Sequence, residues 1–90
     1  MSQKSAKKVQ PTVEFVKDYK ITLTDGKTGT YTGDMVGGRL NGRGTLRWAN
    51  GDVYDGEWKD DKQHGLGTFI PANGSPYKGI WKNDILERKL

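Results

Sequence analysis

The chain has no cysteine and only one histidine among its 90 residues. Without cysteine it can form neither disulfides nor cysteine-based zinc sites, and it has no thiolate nucleophile. It also lacks any apolar run close to the roughly 20 residues that a membrane-spanning helix needs. Its lysine-rich start is not followed by the apolar segment of a secretory signal, so we expect an intracellular protein.

Over most of the chain there is also little excess of positive over negative charge. The formal net charge is +4, but residues 1–30 hold six lysines against three acidic residues, and residues 31–90 hold nine basic against eight acidic residues. A nucleic-acid surface needs a continuous basic stripe, and none is visible beyond residue 30. We therefore expect no binding to nucleic acid.

The sequence offers no set of catalytic or cofactor-binding residues. His64 has no serine–aspartate or metal-ligand pattern around it. Asp55 and Glu57 alternate with aromatic residues on a predicted hairpin, where no desolvated pocket would tune a carboxyl pKa. The Gly-Lys-Thr at 26–28 lacks the earlier glycine of a phosphate-binding loop. We predict a protein without catalysis, metal or cofactor.

What the chain does contain is an internal repeat. Tyr31, Tyr54 and Tyr77 are equally spaced, and their spacing is the period of the repeat. Three motifs recur at this spacing, namely Tyr-x-Gly at 31, 54 and 77, Gly-x-Gly-Thr at 42 and 65, and Asn-Gly at 50 and 73. Thr22-Leu23 lies one such period before Thr45-Leu46, which indicates an eroded half-repeat. The predicted divisions are a basic disordered tail over 1–12, leading strands and the half-repeat over 13–30, repeats over 31–53 and 54–76, and a truncated repeat over 77–90.

Each repeat predicts two short antiparallel strands. In Tyr54-Asp-Gly-Glu-Trp58 the first, third and fifth residues are aromatic or glycine and the others are acidic, which is the alternation of a half-buried strand. Tight turns are predicted at the dipeptides 37–38, 60–61 and 83–84. Each Asn-Gly tolerates the positive φ angles of a type I′ turn. The sequence therefore predicts an antiparallel meander.

The odd length of the repeat sets the register between strands. Because side chains alternate with period two, a regular meander would place Tyr54 and Tyr77, which are an odd number of positions apart, on opposite faces. We therefore expect one extra residue per repeat, as a bulge or a three-residue loop around each Asn-Gly. That register pairs Leu46 with Tyr54 and Phe69 with Tyr77.

The strand glycines provide room for large rings, because a ring can lie flat over a residue that has no side chain. A two-residue turn at 60–61 would place Tyr54 opposite Gly67. The register between repeats would place Trp58 opposite Gly42, and Trp81 opposite Gly65. The glycines predicted to have this structural role are Gly33, Gly42, Gly44, Gly56, Gly65, Gly67 and Gly79.

One face of the predicted sheet is aromatic and the other is charged. The aromatic face carries Leu46 and the seven predicted protein-binding residues, Tyr31, Met35, Tyr54, Trp58, Phe69, Tyr77 and Trp81. We expect these side chains to pack mainly on each other, but a single layer would leave one side of every ring uncovered, which favours a partner groove. The opposite face, which we expect to be solvated, carries Arg43, Arg47, Asp55, Glu57, Lys59, Thr68 and Lys78.

These motifs resemble the MORN (membrane occupation and recognition nexus) repeat. The second repeat fits that pattern with Tyr-Asp-Gly-Glu-Trp-Lys at 54–59 and His-Gly-Leu-Gly-Thr-Phe at 64–69. The first repeat departs from it at Met35, where the family has tryptophan. The last repeat has Arg88 and Leu90 where the paired glycines belong.

The resemblance implies an all-β, single-layer twisted antiparallel sheet that serves as a scaffold. Such repeats occur in ciliary radial spokes, at the cell cortex, in membrane-contact proteins and in lipid-kinase regulatory regions, and they imply no catalysis. We therefore predict a non-enzymatic structural adaptor that binds a protein partner through its aromatic face and strand edges. We expect it in the cytoplasm, associated with the cytoskeleton at a cilium or the cell cortex.

A module for anionic membrane surfaces is the alternative hypothesis. It would use Lys4, Lys7 and Lys8, which could equally contact an acidic protein surface. Each lysine near a charged membrane contributes about 1 kcal/mol, so three give only weak binding. Open strand edges also invite pairing with a partner strand or with a second copy of the chain. The residues do not identify the partner or choose between cilium and cortex.

Overall fold

The computed structural model of the protein describes residues 12–90, which form one antiparallel sheet in chain order. Its strands are β1 (Val13–Thr22), β2 (Thr28–Val36), β3 (Arg39–Trp48), β4 (Val53–Lys59), β5 (Lys62–Ile70), β6 (Tyr77–Lys82) and β7 (Ile85–Lys89). Each strand pairs with the next one along the chain. The predicted all-β, single-layer meander is confirmed. The basic tail and its Lys4, Lys7 and Lys8 lie outside the described residues.

Two-residue turns close the hairpin within each repeat. In the turn between β4 and β5, Asp60 has a φ of 47° and Asp61 a φ of 71°. Positive φ at both central residues is the type I′ geometry, whose twist matches that of the flanking strands. The dipeptides at 37–38 and 83–84 repeat this conformation. All three predicted tight turns are therefore confirmed.

A three-residue loop connects β3 to β4. The N–H of Trp48 donates to the carbonyl oxygen of Asp52 at 2.8 Å, and the N–H of Gly51 donates to that of Trp48 at 2.9 Å. Of the Asn50-Gly51 pair only Gly51 has a positive φ, of 98°. This is a type I turn with a glycine bulge, so the expected type I′ conformation is wrong and the three-residue loop is confirmed.

The loop between β5 and β6 departs from that geometry because of a proline. Pro71 occupies the position that Trp48 has one repeat earlier, and it has no N–H to close the loop. β5 therefore ends at Ile70, and the N–H of Gly74 lies 3.4 Å from the carbonyl oxygen of Pro71. Gly74 has no positive φ, so type I′ is also wrong here.

The hairpin ahead of the repeats has the same three-residue loop in a different place. The N–H of Leu23 donates to the carbonyl oxygen of Lys27 at 2.8 Å, and Gly26 has a φ of 86°. Leu23 thus has the position in its loop that Trp48 has in the loop between β3 and β4. The separation of these two residues is longer than one repeat period. The predicted match of Thr22-Leu23 to Thr45-Leu46 is therefore wrong. The hydrogen bonds that close the two loops make Leu23 equivalent to Trp48, although the residue types match Leu23 to Leu46.

A bulge in each of the first two repeats changes the expected strand register. Trp58 pairs with Gln63 but Gly56 pairs with Gly67, so β5 contains two more residues than β4 between these pairs. Tyr54 therefore pairs with Phe69, and the predicted Tyr54–Gly67 pairing is wrong. Two extra residues keep the alternation of side chains intact, and the same bulge occurs between β2 and β3.

The strand pairing between repeats and the two-residue bulges within the first two repeats place the aromatic residues of all repeats on one face. Leu46 pairs with Tyr54 and Phe69 pairs with Tyr77, as predicted. We call the face that carries the core the inner face and the opposite one the outer face. The buried inner-face residues are Tyr31, Met35, Leu40, Leu46, Tyr54, Trp58 and Trp81. The prediction that Tyr54 and Tyr77 share a face is confirmed.

Candidate functional site

Two tyrosine rings cover glycines of the neighbouring strand. The ring of Tyr31 lies against Gly44 and that of Tyr54 against Gly67, and a Cβ atom on either glycine would overlap the ring. The Tyr54 hydroxyl donates to the carbonyl oxygen of Glu57 at 3.1 Å. The predicted ring-over-glycine packing is therefore present at both tyrosines, although Tyr54 reaches Gly67 diagonally and not from the opposite position.

Burial of these phenols changes their acidity. Burial is the main cause that raises the pKa of Tyr54 to about 12, and the nearby Glu57 carboxylate adds to it. The pKa of Tyr31 is raised in the same way, first by burial and then by Asp34. Both hydroxyls therefore stay protonated at neutral pH and act as hydrogen-bond donors.

The tryptophans pack differently from the prediction. Trp58 is opposite Gly42, as expected, but its ring does not cover that glycine, because the Asp34 side chain lies there. Its indole N–H instead donates to the carbonyl oxygen of Gly44 at 3.0 Å. The arrangement recurs one repeat later. Trp81 is opposite Gly65, the side chain of Glu57 lies at that glycine, and the Trp81 indole N–H donates to the carbonyl oxygen of Gly67. Each tryptophan thus ties its own repeat to the preceding one.

The remaining predicted glycines allow backbones to approach closely. Gly33 pairs with Gly44 and Gly56 pairs with Gly67, and a Cβ atom on Gly33 or Gly56 would overlap the opposite backbone. A Cβ atom on Gly79 would overlap the side chain of Leu86. All three therefore serve close packing, and none of them is covered by a ring in the way that was predicted.

The aromatic core is closed, which contradicts the expectation that every ring keeps an open side. Tyr31 and Tyr54 are 0% exposed, Met35 and Trp58 4%, and Trp81 6%. The rings cover each other edge to face, as in the pairs of Tyr54 with Trp58 and with Trp81, whose centroids lie 5.0 and 5.4 Å apart. These five side chains have no surface left for a partner.

A partly exposed aromatic rim remains on the inner face, formed by Trp48, Phe69 and Tyr77. Phe69 lies between the other two, with its centroid 6.0 Å from that of Trp48 and 5.6 Å from that of Tyr77. Partner binding by Phe69 and Tyr77 stays a prediction. Trp48 was missed, although its spacing of two from Leu46 places it on the same face.

Two further buried side chains were missed by sequence reasoning. Leu40 is 0% exposed and Gln63 is 6% exposed, and they occupy equivalent positions one repeat apart. The backbone N–H of Leu40 donates to the Asp61 carboxylate at 2.8 Å, and that of Gln63 donates to the Asp84 carboxylate at 2.8 Å. Leu40 precedes Gly42 by two residues and Gln63 precedes Gly65 by two, and this spacing was the signal in the sequence that could have identified them.

The largest exposed apolar side chains lie towards the two edges of the sheet. On β1 the exposed fractions are 60% for Val13, 70% for Phe15 and 47% for Tyr19. At the other edge Ile85 is 66% exposed and Leu90 is 62% exposed. Within residues 12–90, no strand pairs with the free side of β1 or of β7. Both edges therefore present unpaired backbone groups beside apolar side chains.

Neither a metal site nor a membrane-spanning helix is found in this part of the chain. No group of histidine and acidic side chains among residues 12–90 is placed to hold a metal ion. No helix long and apolar enough to cross a membrane is found among the same residues.

Comparison with known proteins identifies the repeated hairpins. A family model of the MORN repeat matches residues 31–53, 54–75 and 77–89. These segments coincide with the hairpins β2–β3, β4–β5 and β6–β7. No curated protein matches the chain.

Proposed function

This chain belongs to the MORN repeat family, whose repeats generally bind proteins or membranes, and we propose that it is a non-enzymatic structural adaptor for a protein partner. Its contact surfaces are the free edges of β1 and β7 and the aromatic rim of Trp48, Phe69 and Tyr77. The setting that we propose is a cytoskeletal or ciliary assembly, because radial spokes and the cell cortex are among the places where MORN repeats occur.

The exposed apolar edge of β1 is the observation that carries this proposal. Val13 and Phe15 are 60% and 70% exposed on a strand whose outer backbone groups have no partner among the described residues. A free edge of this kind can accept an added strand, with backbone hydrogen bonds providing affinity and side chains providing selectivity. Lys17 and Asp18 form a bulge that divides this edge, and residues 13–16 are the part that carries Val13 and Phe15.

Site-specific photocrosslinking tests whether a protein occupies this edge. We would replace Phe15 with the photoreactive residue p-benzoylphenylalanine, add a cytoskeletal extract and expect one discrete crosslinked partner. The same residue at Lys78, an exposed position on an interior strand, is the control. A partner crosslinked at position 15 but not at 78 supports the adaptor. Absence of any adduct at position 15 contradicts it.

Point variants at the edge complete that test. Phe15→Ser should weaken capture of the crosslinked partner without unfolding the sheet, because the side chain is 70% exposed. Trp58→Ser and Trp81→Ser cannot serve for this purpose, since both rings are buried and their loss would disrupt the fold. Phe15→Ser with full capture would contradict the edge as a contact surface.

Binding to anionic membranes remains the competing proposal, based on the excess of lysine in residues 1–30. It predicts salt-sensitive co-sedimentation with phosphatidylserine vesicles that is lost when residues 1–10 are removed. The adaptor proposal predicts no such sedimentation. Sedimentation that depends on residues 1–10, together with no adduct at position 15, would favour the membrane module.

A further inference from the structure

A small acidic pocket opens on the inner face beside the aromatic rim. Its volume is about 200 Å³, and Trp48 and Phe69 contribute to its wall. Its charged lining residues are Asp25, Asp52, Asp84 and Lys27. Three carboxylates against one ammonium group give a net charge of −2, although the whole chain carries +4. The pocket is therefore suited to a cation, and its charge contrasts with that of the protein around it.

A buried amide in the pocket wall lacks a hydrogen-bond partner. Gln63 is 6% exposed, and its side-chain oxygen Oε1 accepts no hydrogen bond from any group within residues 12–90. The residues one repeat period before and after it are Leu40 and Leu86, so the repeat itself does not require a polar side chain here. A buried acceptor without a donor disfavours the folded state. With the indole N–H of Trp48, which also lacks a partner among residues 12–90, it leaves the pocket wall with polar groups that the described residues do not satisfy.

The surrounding carboxylates are held in place by the backbone. Asp84 accepts from the N–H of Gln63 at 2.8 Å, and Asp52 accepts from the N–H of Ala72 at 2.9 Å. In each case a single carboxylate oxygen, Oδ1, accepts that backbone bond. The second oxygen of Asp52 also accepts from the side-chain amide of Asn50 at 3.1 Å, and that of Asp84 lies 4.0 Å from the exposed Lys62 ammonium group. A carboxylate oxygen has two lone pairs, so each carboxylate keeps capacity for a further donor while its position stays fixed.

We propose that this pocket binds an arginine side chain of the partner protein, an inference that rests on the adaptor function proposed above. A guanidinium group is planar, carries five N–H donors and stacks on aromatic faces. It can therefore lie against Trp48 and Phe69 while it donates to the carboxylates. The Gln63 oxygen has almost no accessible surface, and a half-turn of the amide would bring Oε1 to the pocket as a further acceptor. A lysine ammonium group cannot stack in this way, and no group of residues in the described part is placed to hold a metal ion.

The indole groups provide a readout of occupancy. Trp58 and Trp81 donate to backbone carbonyl oxygens at 3.0 and 3.2 Å, whereas Trp48 Nε1 is buried and has no partner in the described part of the chain. We would titrate the full chain with N-acetyl-arginine methylamide and follow the three indole N–H signals by two-dimensional NMR. The signal of Trp48 should shift and saturate, and the signal of Trp81 should not move.

A neutral ligand and charge variants make the test specific. N-acetyl-citrulline methylamide has nearly the shape of the arginine probe but no charge, and it should cause no saturable shift. Asp52→Asn and Asp84→Asn keep the backbone-bonded oxygen and remove the charge, so each should weaken arginine binding roughly fivefold. Asp55→Asn removes the same charge on the outer face and should leave the affinity unchanged. Lys27→Gln should strengthen binding.

Replacement of the amide separates a ligand role from a structural one. Gln63→Leu should raise the melting temperature, because it removes the unpaired acceptor, and it should weaken arginine binding. No shift at Trp48, an equal shift with citrulline, or undiminished affinity in the Asp52, Asp84 and Gln63 variants would overturn the arginine pocket.

The crosslinking and NMR experiments can fail independently. An adduct at position 15 without an arginine response overturns the pocket and leaves the adaptor proposal intact. A saturable, charge-dependent arginine response without any adduct supports the pocket and contradicts the edge-bound adaptor. When both experiments succeed, replacing the arginines of the crosslinked partner by glutamine should weaken capture by the wild-type chain more than by Asp52→Asn.

Discussion

At the scale of single residues, the sheet depends on contacts between its largest and smallest side chains. Each buried tyrosine ring needs a glycine on the next strand, and its hydroxyl then reaches a backbone carbonyl oxygen. The pattern of glycines was visible in the sequence. The burial of the rings was not, because it depends on how neighbouring rings stack edge to face, and alternation along one strand contains no information about that stacking.

Gly67→Ala tests the ring-over-glycine contact. The added methyl group would overlap the Tyr54 ring, so the free energy of unfolding should fall by about 3 kcal/mol, at the upper end of overpacking costs. Gly74→Ala is the matched control, because Gly74 is exposed, and its cost should stay below about 1 kcal/mol. Urea unfolding followed by circular dichroism measures both variants. Equal costs would contradict the contact.

The tyrosines also predict how stability depends on pH. Burial raises the pKa of Tyr54 to about 12 from the ordinary 10.0, so the folded state holds its proton more tightly than the unfolded state. This contribution is complete below pH 10 and is lost as the pH rises through about 12. Tyr54→Phe has no such proton, so its stability should fall less between about pH 8 and about pH 11. Parallel losses in urea titrations of the two proteins would refute this.

At the scale of elements, the hairpin turns at 60–61 and 83–84 belong partly to the preceding repeat. The Asp61 carboxylate accepts from the N–H of Leu40, and the N–H of Asp61 donates back to the carbonyl oxygen of Leu40 at 3.0 Å. Asp84 repeats both bonds with Gln63. These turns therefore fix the spacing between repeats as well as closing a hairpin.

Asp61→Ala tests how much the bond from the Leu40 N–H to the Asp61 carboxylate stabilises the fold. It leaves the N–H of Leu40 without an acceptor, and we expect a loss of about 2 kcal/mol in the free energy of unfolding. Asp60→Ala is a close control, since Asp60 also has a positive φ but its carboxylate reaches only Asn41, at 3.5 Å. Thermal and urea unfolding should separate the two variants. Similar losses would show that backbone strain in the turn is what matters.

Strand existence could be predicted from the sequence far better than strand register. Alternation in 54–58 and the turn dipeptides identify the hairpins without further information. The bulge at Gly65 remained hidden because two extra residues restore the alternation of faces, so the side-chain pattern is the same with or without it. The positive φ of 71° at Gly65 is its physical mark, and a glycine there is the only sequence signal. The pocket wall at Gln63 lies beside this bulge and was missed with it.

At the scale of the whole molecule, the free edges follow from the number of strands. The described residues form seven strands in one antiparallel order, so β1 and β7 run in the same direction. A head-to-tail stack of copies would therefore pair β7 with β1 in parallel. Two copies of the same edge, related by a two-fold axis, pair antiparallel and form a closed dimer. Pairing of β1 with β1, or of β7 with β7, would therefore continue the antiparallel pattern of this sheet. Phe15, which is 70% exposed, makes β1 the edge at which a variant can test such pairing.

Phe15→Lys tests self-association at this edge. We expect the wild-type chain to form dimers with rising concentration in light scattering, and Phe15→Lys to remain monomeric, because a charge on an edge strand opposes pairing. Leu66→Lys adds the same charge at a 40% exposed site on an interior strand and should still dimerise. Equal behaviour of the two variants, or a monomeric wild-type chain at all concentrations, would contradict the arrangement.

The bonds between repeats join each repeat to residues that are synthesised later, and this has a consequence for synthesis on the ribosome. Trp58 lies 14 residues after the Gly44 carbonyl that it binds, and the Asp61 side chain lies 21 residues after the Leu40 N–H that it satisfies. A nascent repeat therefore stays incomplete until most of the following repeat has emerged. At roughly 5–20 residues per second this delay lasts about 1–4 seconds for each repeat. During that interval the newest strand edge is open to chaperones and to partner strands alike.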